Sequence, residues 1–390
     1  MFYDLAAGTW GAEEIAAIQR VIASDRLTMG PQVARFEEAF AAYHGRKYGV
    51  MVNSGSSANL VAVAALCYKK ERPLARGDEV IVPAIAWATT YHPLQQYGLR
   101  LKILDIELET LNMDVTQLER AIGERTRAIV GVSILGNPAA LDVMRAAADR
   151  HGLYFIEDNC ESMDAELAGR KAGTFGHVST FSLFYSHHIS TVEGGVVTTD
   201  ERELFELCRA MRAHGWIRDL PADSELYEKH ADDFYEAYRF ILPGYNVRPT
   251  EIGGAVGLEQ LKKLPAMTAA RRRNWDYFHK LFGGDNRFII QRENGKSSAF
   301  SFTIIPNPEL GIRRADILPR LKEADIGYRM ITGGCITRHD VIRHYDYACV
   351  NGLPNANLAH DEGFFVGNHP FDLTAQIARL REVLDHAARA

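Results

Sequence analysis

FSLFYSHHISTVEGGVV, residues 181–197, sets two adjacent imidazoles between an aromatic run and a Glu-Gly-Gly turn. Its flanks, HVSTFSLF (177–184) and GGVVTT (194–199), are short, apolar and β-branched, and read as strands. Between them lies a polar loop with His187, His188 and Glu193, entered through Ser182. A hydroxyl and a titratable ring at one strand-to-loop junction can bring an anion contact and a base to the same place. Working outward, the pattern repeats. KYGVMV (47–52), DEVIVPA (78–84), LRLKILDI (99–106), TRAIVGVSI (126–134) and LYFIED (153–158) read as further buried strands. Helical patterns such as 56–70 and 141–152 fall between several of them. That alternation predicts an α/β fold with a mainly parallel sheet and helices on both faces.

Two amphipathic helices, 12–24 and 31–45, precede the first strand, the second with Pro at its start and Gly at its end. Residues 219–243 are acidic and aromatic without a clear strand, and read as an excursion that packs on a neighbour or frames a substrate. From about 265 the pattern changes. A charged helix (264–282), a strand (299–306), a helix (314–327) and a terminal helix (373–389) predict a smaller α+β domain. The expected division is therefore 1–263, a large cofactor-binding domain with the N-terminal helices, and 264–390, a small C-terminal domain.

A chain of 390 residues is too long for one ordinary core, which fits two domains. The formal net charge is −6, with no basic excess, so a general nucleic-acid binder is not expected. No apolar run approaches the length of a membrane span, and the first residues lack a basic-then-apolar signal pattern, so a cytoplasmic protein is expected. The five cysteines form no C-x-x-C or C-x-C pair, which argues against a disulfide framework, a metal site or an iron–sulfur cluster.

Three more stretches carry chemistry. NSGSSANL (53–60) is a small turn between strand and helix, so Gly55 and Ser56 sit where free amides and the helix dipole favour an anion; from these residues alone an unliganded Ser/Gly cap is the commoner reading. IEDNCES (156–162) ends a strand in Asp158, at the sheet edge where open α/β folds bind ligands, and a carboxylate there can hold a ring nitrogen protonated. Trp87 follows a strand closely enough to lie over an aromatic cofactor, or else to fill a core.

In this order and spacing the phosphate turn, the aromatic, the strand-end Asp, the Ser-x4-base and the E-G-G resemble the fold-type I pyridoxal-phosphate (PLP) enzymes. More narrowly they resemble the DegT/StrS-type nucleotide-sugar aminotransferases. The likeness covers nearly the whole chain and includes GYNVRPTEIGGAVGLEQLKKL (244–264) and FFVGNHP (364–370). It implies an aspartate-aminotransferase-like fold and a homodimer with active sites at the interface. It implies that Gly55, Ser56 and Ser182 hold the cofactor phosphate, that Asp158 pairs with the pyridine nitrogen, and that Glu161 lies near the phenolic oxygen. Trp87 would stack on the ring, Asn246 would reach the phosphate of the other subunit, and Arg248 would clamp an amino-donor carboxylate.

The departure is at the base. Six residues before Glu193, where the family carries its Schiff-base lysine, stands His187. Imidazole moves protons but forms no stable imine, so the resemblance implies PLP or pyridoxamine phosphate (PMP) bound without a covalent link. It further implies the histidine-bearing branch of the family, which removes the C3 hydroxyl of a 4-keto nucleotide sugar with L-glutamate as amino donor. His188 and His214 are weaker candidates for substrate contact. A true aminotransferase and a non-catalytic sugar-binding relative both remain open on these residues.

Overall fold

The computed structural model describes residues 2–388. Eight strands form the large sheet, in the order Tyr48–Val52, Gly195–Thr199, Val178–Ser182, Tyr154–Asp158, Thr126–Val132, Glu79–Pro83, Arg100–Leu104, Tyr347–Cys349. Only Gly195–Thr199 runs antiparallel to its neighbours. Central strands such as Glu79–Pro83 and Tyr154–Asp158 are buried at every position, as expected of a sheet covered on both faces. The largest core packs this sheet against the Gly55–Cys67 helix, whose Ala- and Val-rich sequence is buried on nearly all sides. The other face packs against the Leu141–His151 helix and its neighbours.

A second sheet of four strands, Phe288–Ile290, Ser301–Pro306, Phe364–Gly367 and Tyr328–Arg329, is antiparallel throughout. Its core is aromatic, with Phe278 stacked on Phe302 at 4.7 Å and on Phe282 at 4.5 Å. The terminal helix, Thr374–Ala387, covers it; the last residue of the helix expected over 373–389 lies outside the described residues.

Two features differ from the sequence reading. The helix expected at 264–282 begins at Glu251 and runs to Phe282, so the boundary placed between 263 and 264 falls inside it. The glycines of EIGGAVG look helix-breaking, but they serve packing: a Cβ on Gly254 would stand 2.5 Å from the Val33 backbone nitrogen, and one on Gly257 would stand 2.8 Å from the Phe36 ring. They let this helix press against Pro31–His44. The chain also returns from the small sheet to the large one, where Tyr347–Cys349 pairs in parallel with Arg100–Leu104. On the way, residues 329–333 pass the carboxyl edge of the large sheet and reach the cavity described next.

The 219–243 excursion is largely irregular, with one helical turn, Asp233–Glu236, capped by the Asp232 carboxylate. Phe234, Tyr235, Tyr238 and Phe240 on it face outward.

Candidate active site

A cavity of about 520 Å³ opens at the carboxyl ends of the parallel strands. Gly55, Ser56, Trp87, Asp158, Glu161, Ser182 and His187 all line it. These side chains span more than 130 positions of sequence and converge because the sheet delivers each strand end to one edge.

The floor is a close junction of loops. Ser54 caps the Gly55–Cys67 helix by accepting the Ser57 amide at 3.0 Å, which leaves the amides of Gly55 and Ser56 free to donate. A Cβ on Gly55 would stand 2.7 Å from the Ser182 Cβ, and one on Gly195 would stand 2.3 Å from the Ser54 carbonyl oxygen. The E-G-G motif is thus a steric requirement: Gly195 lets its strand pass beneath the anion turn. Ser56 and Thr89 share a hydrogen bond at 2.8 Å, which orients the Ser56 hydroxyl at the cavity wall.

Asp158 is immobilised. Its Oδ2 accepts from Asn59 Nδ2 at 2.8 Å and Thr90 Oγ1 at 2.7 Å, and its Oδ1 accepts from the Cys160 amide at 3.1 Å. Asn59 is itself fixed by the Thr180 hydroxyl at 2.6 Å. These three donors fix the orientation of the carboxyl group at the cavity wall. Trp87 is 58% exposed and lines the cavity, so it is not a core tryptophan.

His187 sits edge-on to Phe184 and Phe300, at centroid separations of 5.8 and 5.2 Å. Its Nδ1 is enclosed and has no hydrogen-bond partner among the described residues. Burial, helped by the Arg271 charge, pushes its pKa down to about 3, so the ring is neutral at pH 7 and able to accept a proton. Glu161 shows the opposite shift. Burial, and less strongly the Asp158 charge, push its pKa up to about 7 against two opposing hydrogen bonds.

His188 does not line the cavity, which corrects the expectation of a substrate contact. It turns the other way and is buried, with Nε2 3.2 Å from the Ser298 carbonyl oxygen and its ring beside Phe300. One peptide step reverses the side chain, and the place it occupies is a seam between the two sheets. His214 is also remote from the cavity. Its backbone lies in the left-handed region (φ 64°) and its amide donates to the Tyr245 carbonyl at 2.6 Å, a tight turn that accounts for its conformation without a ligand. Asn246 and Arg248 are exposed, bonded to each other at 3.0 Å, and absent from their own chain's cavity.

The sequence reading missed Asn59, Thr90, Cys160, Phe300, Arg329 and Thr332, all of which line the cavity. Asn59 and Thr90 had a faint signal, as polar residues on otherwise apolar or aromatic helix starts. Phe300, Arg329 and Thr332 had none, because they arrive from the C-terminal part of the chain.

A model of the DegT/DnrJ/EryC1/StrS aminotransferase family matches residues 9–384. The chain belongs to that family. The GDP-4-keto-6-deoxy-D-mannose 3-dehydratase of Yersinia pseudotuberculosis is 46% identical over 384 residues, 98% of each chain. Two solved structures of GDP-4-keto-6-deoxymannose-3-dehydratase superpose with TM-scores of 0.96 at 45% identity, covering 98% of this chain and 100% of theirs. One is a histidine-to-asparagine mutant with bound GDP-perosamine, the other holds a trapped PLP-glutamate geminal diamine. Membership confirms the fold expected for fold-type I PLP enzymes, a large mainly parallel sheet with a separate antiparallel sheet toward the C-terminus.

The cavity fits PLP on its own geometry. The free amides of Gly55 and Ser56 with the Ser56 and Ser182 hydroxyls suit a phosphate, Asp158 suits a pyridinium, and the Trp87 face suits a ring. No lysine lines the cavity among the described residues, and His187 lines it with Nε2 free of any hydrogen bond.

Proposed function

We propose that the protein is a PLP/PMP-dependent lyase that removes the C3 hydroxyl of GDP-4-keto-6-deoxy-D-mannose. L-glutamate is the amino donor, and the products are GDP-4-keto-3,6-dideoxy-D-mannose, ammonia and 2-oxoglutarate. The observation that carries this reading is His187 in the cavity with a free ring nitrogen and no amine beside it. The 46% identity to a 3-dehydratase supports it. Electrons balance: oxidation of glutamate supplies the pair that replaces the hydroxyl by hydrogen.

The cofactor, when bound, supplies an electron sink and carries the amino group. Everything else falls to the chain. The Gly55–Ser56 turn and Ser182 anchor the phosphate, and Asp158 holds the ring nitrogen protonated. Trp87 covers the ring. His187 takes the Cα proton of glutamate, and later a proton beside the ring when the sugar is in place. Burial and the Arg271 charge keep its ring neutral, so it is able to accept that proton. The deoxygenated sugar leaves as an enamine, which tautomerises to an imine and is hydrolysed by water to the 4-ketosugar and ammonia, so no stable aminosugar accumulates.

One part of the reading extends beyond one chain. Asn246 and Arg248 serve the partner's site in a homodimer, which is consistent with their exposure outside their own cavity. Within the cavity, Arg329 is the guanidinium available to an amino-donor carboxylate. The enzyme works in the cytoplasm, in biosynthesis of a 3,6-dideoxyhexose such as colitose for lipopolysaccharide O-antigen. No helix among the described residues is long and apolar enough to cross a membrane.

The test is mass spectrometry of products from GDP-4-keto-6-deoxymannose with L-glutamate, beside the CDP and dTDP analogues. The reading expects a GDP sugar lighter by one oxygen, with ammonia released. A sugar that has exchanged its ketone oxygen for nitrogen while keeping the C3 hydroxyl would make the protein an aminotransferase.

A further inference from the structure

Elimination of a hydroxyl needs two proton transfers, one from carbon and one to the departing oxygen. The cavity holds two titratable groups that each keep one unshared polar atom. His187 offers Nε2. Glu161 accepts both of its hydrogen bonds on one oxygen: Oε2 takes the Leu135 amide at 2.9 Å and the Thr332 hydroxyl at 3.1 Å. Oε1 has no partner among the described residues, and Glu161 lines the same cavity as His187.

The two donors are held there at a cost. Leu135 (φ 51°) and Thr332 (φ 39°) both occupy the left-handed region, which is uncommon for a non-glycine residue and costly for a β-branched one. They come from opposite sides, one from the end of Thr126–Val132, the other from the returning C-terminal segment. Both converge on one carboxyl oxygen, so they fix the plane of the group and leave the other oxygen to the cavity.

The remaining titratable side chains on the cavity are Asp158, Cys160, Tyr185, Glu193 and Arg329. Asp158 is committed to three donors, and burial with the Asp158 charge pushes the Cys160 thiol far up. Burial and Asp158 hold a proton on Glu161, while burial and Arg271 keep His187 free of one. Two groups pushed in opposite directions in one site is the pattern of an acid and base pair.

We propose that Glu161 is the acid of the dehydration, handing its Oε1 proton to the departing C3 hydroxyl while His187 takes the proton from carbon. This rests on the dehydratase reading. His187 gains one proton, and the pair it frees passes toward the sugar. The C3–O bond breaks with its pair going to oxygen, which takes the Glu161 proton and leaves as water. Glu161 is left as carboxylate and His187 as imidazolium, and proton return through water restores both.

The test is Glu161→Gln, which keeps an oxygen to accept from Leu135 and Thr332 but has no acidic proton. Dehydration should fall about a hundredfold. Dehydration should fall at least about tenfold further than conversion of the bound cofactor by L-glutamate alone, followed by absorbance, because only dehydration breaks a C–O bond. Infrared spectra of the cofactor-free wild type at pH 6 should show a protonated-carboxyl band that the variant lacks. A fall in dehydration of less than tenfold, or no such band, overturns the proposal. A wild type that makes no dehydrated sugar at all would instead sink the functional reading, whatever the carboxyl band shows.

Discussion

The loop between Ser182 and Gly195 has two faces, and the pair of histidines at its tip divides between them. On the cavity face His187 keeps a free ring nitrogen beside Asp158, Glu161 and the anion turn. On the seam face His188 is buried against Ser298 and Phe300. The residue type is the same, yet His187 is half-buried on the cavity while His188 is fully buried with its Nε2 against a carbonyl oxygen. What separates them is the loop's closure. Leu183 donates to Gly194 at 2.8 Å and Thr191 donates back to Leu183 at 2.9 Å, so the phase of the residues between is fixed.

This contrast can be broken in several ways, and the largest expected effect is on the cavity face. His187→Asn should lower dehydration by about 100-fold to 10,000-fold, measured as product formed per active site, with the fold retained by circular dichroism. His187→Lys should create a protein–cofactor bond that borohydride reduces, seen as a mass increment on the chain.

Next in size is the carboxylate that answers the ring. Asp158→Asn removes the charge while keeping the shape, and should weaken cofactor retention by roughly tenfold or more, read by equilibrium dialysis. On the seam face His188→Asn should cost roughly 1 to 3 kcal/mol of stability in urea titration while changing turnover only a few-fold. Gly195→Ala, at the base of the loop, should cost a similar amount, because its Cβ would stand 2.3 Å from the Ser54 carbonyl oxygen.

The smallest effect sharpens the account by its sign. The folded state disfavours the charged form of both groups. His187, ordinarily near 6.5 and here about 3, contributes stability that is present above pH 6.5 and lost as pH falls toward 3. Glu161, ordinarily near 4.5 and here about 7, contributes stability that is present below pH 4.5 and lost as pH rises toward 7. Between those limits the slopes oppose. In cofactor-free protein Glu161→Gln should therefore gain on the wild type as pH rises from 4.5 to 7, by roughly 1 to 3 kcal/mol in unfolding titrations.

The fold was legible because apolar runs separated by turn residues mark parallel strands well; each of the seven strands read in residues 47–199 is present within two residues of its expected limits. The Glu251–Phe282 helix start was not legible, since glycines that admit a close helix partner look like glycines that end a helix. Nor was the eighth strand, Tyr347–Cys349, whose three residues take their place from a long-range pairing. In the site, Gly55, Asp158 and Ser182 sit at strand or helix ends that local pattern can locate, and His187 is found by its spacing from Glu193 in the loop between two strands. Thr332 and Phe300 meet the cavity only through the return of the C-terminal segment, and local sequence carries no trace of that. His188 shows the limit most plainly, because spacing placed it one residue from the base but could not say which way it turned.

The central claim is that His187, and not His188, moves the protons. Exchange of the glutamate Cα proton in deuterated water, followed by NMR with the cofactor-loaded protein, tests it without any sugar. The account predicts exchange by the wild type and by His188→Asn, and its loss in His187→Asn. Exchange that survives in His187→Asn but disappears in His188→Asn would contradict it.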